Sequence, residues 1–172
     1  MRKLPMVREE FGFRRTQCAC AFCQAPCRHL PGALAPSDLL RLRPPDRDVF
    51  AWAEEHLRTL RAKPYPLLVP ARRPDGVCHW YFEGKCAVYE SAPYGCAFFD
   101  AHMPEQESTR RFAALVAAIQ QDVTANGLYY RIWLHLRQKG LTARTGNRAE
   151  LVRDLERIAR RAEGNRRRIQ SK

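Results

Sequence analysis

The chain has 172 residues, which is enough for one compact domain but too few for a complete β/α barrel. Apolar residues make up 45% and charged residues 28%, a balance that excludes a fully disordered chain. The net charge of +12 is compatible with an anionic partner, but arginine-rich proteins reach such a charge without one, so charge alone assigns no function.

The sequence shows no signal for export or for membrane insertion. The N-terminal residues become charged before a signal-peptide hydrophobic region can form. The longest strongly apolar run, residues 112–119, is far shorter than the roughly 20 residues that cross a bilayer. We therefore expect a soluble, cytoplasmic protein that does not bind membranes.

The N-terminal part is rich in cysteines and in turn formers. Residues 14–36 contain cysteines at 18, 20, 23 and 27, together with Pro26, Pro31, Gly32 and Pro36. This density predicts an irregular, knuckle-like loop. Apolar spacing then predicts a short helix over residues 38–42 and a longer one over about 47–62, and we expect both to cover the loop.

The middle of the chain favours short strands. Prolines at 64, 66, 70 and 74 restrict any strand near residues 67–69 to a short one at a sheet edge. Two aromatic or β-branched runs, 78–82 and 85–89, flank Glu83-Gly84 and predict a β-hairpin. A two-residue turn there sets Tyr81 opposite Cys86 and puts Cys78 and Cys86 on opposite faces.

Helical spacing dominates after Pro104. It predicts helices over about residues 112–123, 129–136 and 147–163, with stop signals at Asn126-Gly127, Gly140 and Gly164. The predicted fold class is α+β, mainly helical, with an irregular cysteine-rich metal-binding loop and a small β-hairpin packed against several helices. We divide the chain into a cysteine-cluster metal-binding domain (14–103), a helical part packed on it (104–164) and a basic disordered tail (165–172).

The seven cysteines form two groups in the sequence. The first is Cys18-x-Cys20-x2-Cys23-x3-Cys27, and the second is Cys78-x7-Cys86-x9-Cys96. An odd number of cysteines without an export signal argues against a disulfide framework and favours metal binding. Four thiolates suit zinc and an iron–sulfur cluster such as [4Fe–4S] equally well, so ligand type leaves the metal open.

The cysteines and their surroundings resemble a known family. The matching segments are Cys20-Ala-Phe-Cys23-Gln-Ala-Pro-Cys27, Pro31-Gly32, Pro36-Ser-Asp38-Leu39, Cys78, Gly84-Lys85-Cys86-Ala-Val-Tyr89 and Pro93-Tyr94-Gly95-Cys96-Ala-Phe98-Phe99-Asp100. Together they resemble the YkgJ-type cysteine-cluster family of zinc- or iron-chelating domains. The resemblance covers about residues 18–103 and implies metal chelation, with the reaction undefined. One departure is Pro26, where the family's first group has a further cysteine.

We predict that six cysteines are metal ligands: Cys20, Cys23, Cys27, Cys78, Cys86 and Cys96. They could supply one four-ligand cluster with two thiols in support, or a two-metal site with bridging sulfurs, and the two sequence groups should converge. The role of Cys18 is open, because the spacing to Cys20 is tight for two ligands of one metal. Three histidines lie near cysteines in sequence, but such residues more often lie on the surface or support a ligand: His29, His79 and His102.

No sequence motif indicates catalysis. The order Cys20-x2-Cys23-x3-Cys27 is the reverse of the radical-SAM motif, and phosphate-loop, serine-hydrolase and zinc-protease motifs are absent from the sequence. A thioredoxin-like role for Cys20 and Cys23 would need a preceding strand, which the sequence does not predict. Whether the chain is an enzyme stays open.

The alternative function is nucleic-acid binding by a basic C-terminal helix and tail, with a purely structural metal site. Residues 139–172 contain eleven Lys or Arg against four Asp or Glu. However, acidic residues on the same helix can pair with the arginines, and the cysteine spacings match no DNA-reading finger. Metal binding is therefore the preferred hypothesis, and a protein partner for the basic segment is a further alternative.

Overall fold

The computed structural model describes residues 8–62, 64–143 and 148–170. Seven α-helices lie in these ranges: α1 Ala21–His29, α2 Asp38–Leu42, α3 Val49–His56, α4 Tyr94–Ala97, α5 Glu105–Thr124, α6 Leu128–Gln138 and α7 Arg148–Gln170. The predicted mainly helical α+β class is confirmed, and the cysteine-rich loop is present. None of the helices in these ranges has both the length and the apolar character needed to span a membrane.

Three antiparallel strand pairs complete the described part of the chain. They are β1 Glu9–Glu10 with β2 Phe13–Arg14, β3 Leu57–Ala62 with β4 Tyr65–Pro70, and β5 Tyr81–Phe82 with β6 Lys85–Cys86. The β5–β6 hairpin has the predicted register, with Tyr81 opposite Cys86. Its turn residues Glu83 and Gly84 have φ values of 47° and 79°, the left-handed conformation that this two-residue turn requires.

One hydrophobic core joins the cysteine-rich part to the C-terminal helices. Its largest fully buried side chains are Trp52, Tyr94, Tyr129, Phe98, Leu34, Leu39, Leu57, Leu68, Leu115, Ile119, Ile132 and Leu136. The hydroxyl of Tyr129 accepts a hydrogen bond from the backbone N–H of Leu68 at 2.8 Å, which ties α6 to β4. The helical part therefore packs on the β3–β4 hairpin, while the predicted domain boundary at residue 104 stays a prediction.

The predicted helix over 47–62 is too long. Asp48 begins α3 by accepting hydrogen bonds from the backbone N–H groups of Phe50 and Ala51, but the helix ends at His56. The chain continues as β3, which pairs with β4 from Leu57 opposite Pro70 to Ala62 opposite Tyr65. The strand ladder and its burial override the helical spacing of the apolar residues.

Two further helices differ from the sequence prediction. Within the predicted irregular segment 14–36, residues Ala21–His29 form α1 in spite of Pro26. At the other end, α7 passes Gly164 and continues to Gln170, so residues 165–170 are helical rather than a disordered tail. Glycine costs about 1 kcal/mol in a helix, which the strong helix formers around it offset. The predicted start at Asn147 and the last two residues lie outside the described ranges.

Candidate metal centre

Three thiols and one imidazole form a tight group, here called the close group. The ligand atoms of Cys18, Cys20, Cys23 and His102 all lie within 4.8 Å of one another. The Sγ atoms of Cys20 and Cys23 are 3.7 Å apart, and Nε2 of His102 is 3.2 Å from Cys20 Sγ. Cys18 and His102 are exposed, and the other two are partly exposed. This arrangement is compatible with metal binding.

Local structure explains why these residues meet. Cys20 is the N-cap of α1, so Cys23 lies one turn further along the same side. Residues 100–102 form a turn in which the Asp100 carboxylate accepts the His102 backbone N–H at 2.9 Å. The backbone N–H of Ala101, in the same turn, donates to Cys23 Sγ at 3.4 Å. The turn therefore docks on the start of α1 and presents the imidazole to the thiols.

The close group favours a thiolate at Cys20. Burial alone would raise the pKa of Cys20, but hydrogen bonds from the Cys23 backbone N–H and from His102 lower it to about 6. Burial and the neighbouring thiols instead raise the pKa of Cys23 to about 12. The thiolate of Cys20 in turn raises the pKa of His102. Because metal ligands must be deprotonated, metal binding here releases protons.

The remaining four cysteines, here called the cavity thiols, line a cavity. This cavity of about 380 Å³ has the side chains of Cys27, Cys78, Cys86 and Cys96 in its wall, together with Cys18 and Cys23. Cys27 comes from the second turn of α1, Cys86 from β6 and Cys96 from α4. Six of the seven cysteines therefore face one space, and two of these six also belong to the close group.

Backbone contacts bring the two sequence groups together. The N–H of Cys78 donates to the Cys27 carbonyl at 2.8 Å, although 51 positions separate them. Strand β5 begins only at Tyr81, so Cys78 precedes the hairpin and the expectation of opposite faces does not apply. Both Cys78 and Cys86 reach the cavity.

Burial keeps the cavity thiols protonated in the absence of metal. Burial, reinforced by neighbouring thiols, raises the pKa of Cys27 to about 11 and that of Cys78 to about 11. Burial likewise raises the pKa of Cys86 and of Cys96. Cys78 is the most buried of the four, with 6% of its surface exposed. A metal centre in this cavity would have to displace these protons.

The structure groups the candidate ligands differently from the sequence prediction. Of the six predicted ligands, Cys20 and Cys23 lie in the close group with Cys18 and His102, which the sequence left open. The other two candidate histidines have different neighbours. His29 lies 3.1 Å from the Asp154 carboxylate, and the His79 ring packs against those of His56 and Trp80. Whether all six predicted cysteines bind metal stays a prediction.

The chain was compared with protein-family models, with curated proteins and with solved structures, and none matches it. The resemblance to the YkgJ-type family therefore stays a prediction that the quoted residues carry. Any assignment of function depends on the geometry of the close group and of the cavity.

Proposed function

We propose that this chain is a metal-binding cysteine-cluster protein whose close group, Cys18, Cys20, Cys23 and His102, holds a zinc ion. The observation that carries the proposal is that four ligand atoms of suitable chemistry lie within 4.8 Å of one another. Ligands about 2.3 Å from a tetrahedral zinc ion are about 3.8 Å apart. The Cys20–Cys23 separation of 3.7 Å agrees with this value.

The donor set favours zinc over an iron–sulfur cluster at this position. Three thiolates with one imidazole are a common set for structural zinc, whereas four thiolates usually hold a [4Fe–4S] cluster. Four protein ligands fill a tetrahedral ion and leave no open position for a substrate. The zinc would therefore organise the chain, joining the start of α1 to the turn at residues 100–102, rather than catalyse a reaction.

The resemblance to the YkgJ-type family supports the same proposal from the sequence side. Cys20 and Cys23 belong to the resembling motif, and the family is described as chelating zinc or iron. Cys18 and His102 lie outside that motif, and with them the close group has four ligands although Pro26 replaces a cysteine. Cys18 and His102 thus take the two places that the missing thiol at Pro26 and Cys27 do not fill.

The test is zinc content and affinity of the full chain with single-residue variants. We expect one equivalent of zinc at this site and a loss of affinity greater than about 100-fold for His102→Ala, because removing a supporting group alone costs 10–100-fold. His29→Ala is the matched control. Like His102, His29 lies near a cysteine in the sequence, but its ring contacts Asp154 and not the thiols of the close group. Unchanged zinc affinity in both His102→Ala and Cys18→Ser would contradict the proposal.

An arginine-lined groove supports nucleic-acid binding as a second candidate function. The groove has a volume of about 630 Å³ and is lined by His29, Glu150, Arg153, Asp154, Arg157, Arg160 and Arg161. Four arginines on one side of α7 can contact phosphates, although Asp154 and Glu156 occupy Arg157 and Arg160 in part.

The second candidate is tested with a labelled single-stranded oligonucleotide. The double variant Arg153→Gln/Arg161→Gln should weaken binding and reduce the slope of log K against log salt by about 1.4, because each lost contact with a single strand contributes about 0.7. The exposed pair Arg110→Gln/Arg137→Gln removes the same charge from α5 and α6 and should change the slope less. Equal effects of the two double variants would indicate nonspecific attraction to a basic protein.

A further inference from the structure

The cavity thiols are spaced too widely for a single zinc ion. Among the described residues, no three of the sulfurs of Cys27, Cys78, Cys86 and Cys96 belong to a group of ligand atoms within 4.8 Å of one another. Sulfurs around one zinc ion would be about 3.8 Å apart. In a [4Fe–4S] cluster each cysteine binds a different iron, so the four sulfurs surround a centre with a volume of its own.

The cavity also has room for such a centre. Its volume of about 380 Å³ far exceeds what one metal ion within four thiolates would occupy. The remaining wall includes the aromatic side chains of Trp80, Tyr81 and Tyr89, of which Tyr81 is buried and Tyr89 is exposed. Solvent exposure is one of the factors that set the reduction potential of a cluster.

Polar groups at the cavity wall suit an anionic sulfur-ligated centre. Arg15 and Lys85 line the cavity, and the Arg15 side chain is only 9% exposed. Nearby cations offset the negative charge of four thiolates and of the cluster they hold.

We propose that Cys27, Cys78, Cys86 and Cys96 bind a [4Fe–4S] cluster in this cavity, as a second centre beside the zinc of the close group. The proposal rests on the proposed function in that it leaves Cys18, Cys20, Cys23 and His102 to zinc. α1 then serves both centres, with Cys20 and Cys23 at its start and Cys27 one turn further on. Cys18 and Cys23 lie between the centres, since they line the cavity and belong to the close group.

The experiment is anaerobic reconstitution of the full chain with ferrous iron, sulfide and one equivalent of zinc. The wild-type protein should become brown, absorb near 400 nm and contain about four iron and four sulfide ions besides the zinc. Cys86→Ser should lose the absorption band and the iron while keeping the zinc, and Cys86→Ala provides a second variant of this partly buried position. His102→Ala should lose the zinc and keep the band.

The outcomes separate the two proposals. A colourless wild-type protein that holds one zinc overturns the cluster and leaves the zinc site intact. A brown protein whose band survives in Cys86→Ser and Cys86→Ala, both shown to be folded by circular dichroism, overturns the assignment of the ligands. A brown protein that binds no zinc overturns the proposed function alone. Loss of both metals in every variant would show one shared centre and would overturn the division into two.

Discussion

Gly32 and Gly95 lie against each other with no space for a side chain on either residue. A Cβ atom on Gly32 would lie 2.1 Å from the carbonyl carbon of Gly95, and one on Gly95 would lie 2.4 Å from the backbone nitrogen of Ala33. The Gly95 N–H donates to the Ala33 carbonyl at 2.8 Å. This contact places Cys96 beside the segment that follows α1, and hence near Cys27.

Substitution of Gly32 by alanine should therefore disrupt the cysteine cavity. The added Cβ would meet backbone atoms, which cannot rotate away, so we expect a destabilisation of at least about 3 kcal/mol. Urea denaturation of the metal-free protein measures this change. Gly76→Ala is the matched control, because no atom lies within 4 Å of its Cβ and only its positive φ of 83° opposes the change, at about 1–2 kcal/mol. Equal losses would show that the contact does not matter.

Asp38 stabilises the contact between the segment after Gly32 and the turn before Cys96. Its carboxylate is fully buried and accepts hydrogen bonds from the backbone N–H groups of Ala35 and Tyr94, both at 2.7 Å. The guanidinium groups of Arg8 and Arg41 contact the other oxygen at 2.8 Å and 2.6 Å. The carboxylate thus links the segment after Gly32 to the turn before Cys96.

Asp38→Asn should destabilise the fold by about 3–5 kcal/mol. The amide group cannot accept from all four donors, and it leaves two arginines beside an uncharged group in a buried site. Chemical denaturation gives the free energy of unfolding for this variant and for Asp46→Asn, an exposed aspartate that serves as the control. A loss below about 1 kcal/mol would mean that water or another carboxylate replaces Asp38.

Local features of the sequence were predictable, and contacts between distant segments were not. The two-residue turn at Glu83-Gly84 determines the pairing of Tyr81 with Cys86, and Asn126, with φ of 48°, ends α5 as its stop signal predicts. In contrast, residues 57–62 have spacing compatible with a helix, and only their pairing with residues 65–70 makes them a strand. This pairing cannot be predicted from a single sequence.

The same reasoning applies to the candidate site. Sequence spacing identified the cysteines, but it could not show that His102, 82 positions from Cys20, would be its neighbour. A local signal did exist, since Asp100 two residues before His102 is typical of a turn that presents the histidine. The division of the thiols between the close group and the cavity depends on how α1 packs. The sequence did not predict this helix because Pro26, an unfavourable residue in a helix interior, lies inside it.

The metal-free protein should lose stability at alkaline pH. Cys78 has a pKa of about 11 in the fold, raised mainly by burial, against 9.0 for an ordinary cysteine. Below about pH 9 the Cys78 thiol is protonated in both the folded and the unfolded chain, so its titration does not reduce the free energy of unfolding. As the pH rises toward 11, the unfolded chain releases a proton that the folded chain retains, so stability falls by up to about 2–3 kcal/mol for this group.

This loss is measured by urea denaturation of the chelator-treated, reduced protein at about pH 8 and about pH 11. Lysine and tyrosine also titrate in this range, so the informative quantity is the difference between wild type and Cys78→Ala. The variant should lose less stability than the wild type over the same interval. An identical alkaline loss in the two proteins would show that the Cys78 thiol does not contribute.

A buried carboxylate, Asp154, contributes to the packing of α7 against α1. This helix packs chiefly against α1, and the Asp154 side chain at their contact is only 5% exposed. Its carboxylate lies 3.1 Å from His29 Nε2 and 3.5 Å from an Arg28 nitrogen, and it also pairs with Arg157 of its own helix. Asp154 is therefore a polar link between α7 and the C-terminal end of α1, the helix that carries Cys23 and Cys27.

Asp154→Asn should loosen α7 while the zinc site remains. The charged contacts with α1 weaken, and we expect a loss of about 1–2 kcal/mol that is concentrated in α7, because the close group lies at the opposite end of α1. Hydrogen exchange measured by mass spectrometry should show faster exchange in residues 148–163 with unchanged zinc content. Glu156→Gln, which alters an exposed pair with Arg160 on the same helix, is the control and should leave the exchange rates near those of wild type. Loss of zinc in Asp154→Asn would instead mean that α7 docking and the metal centre form one cooperative unit.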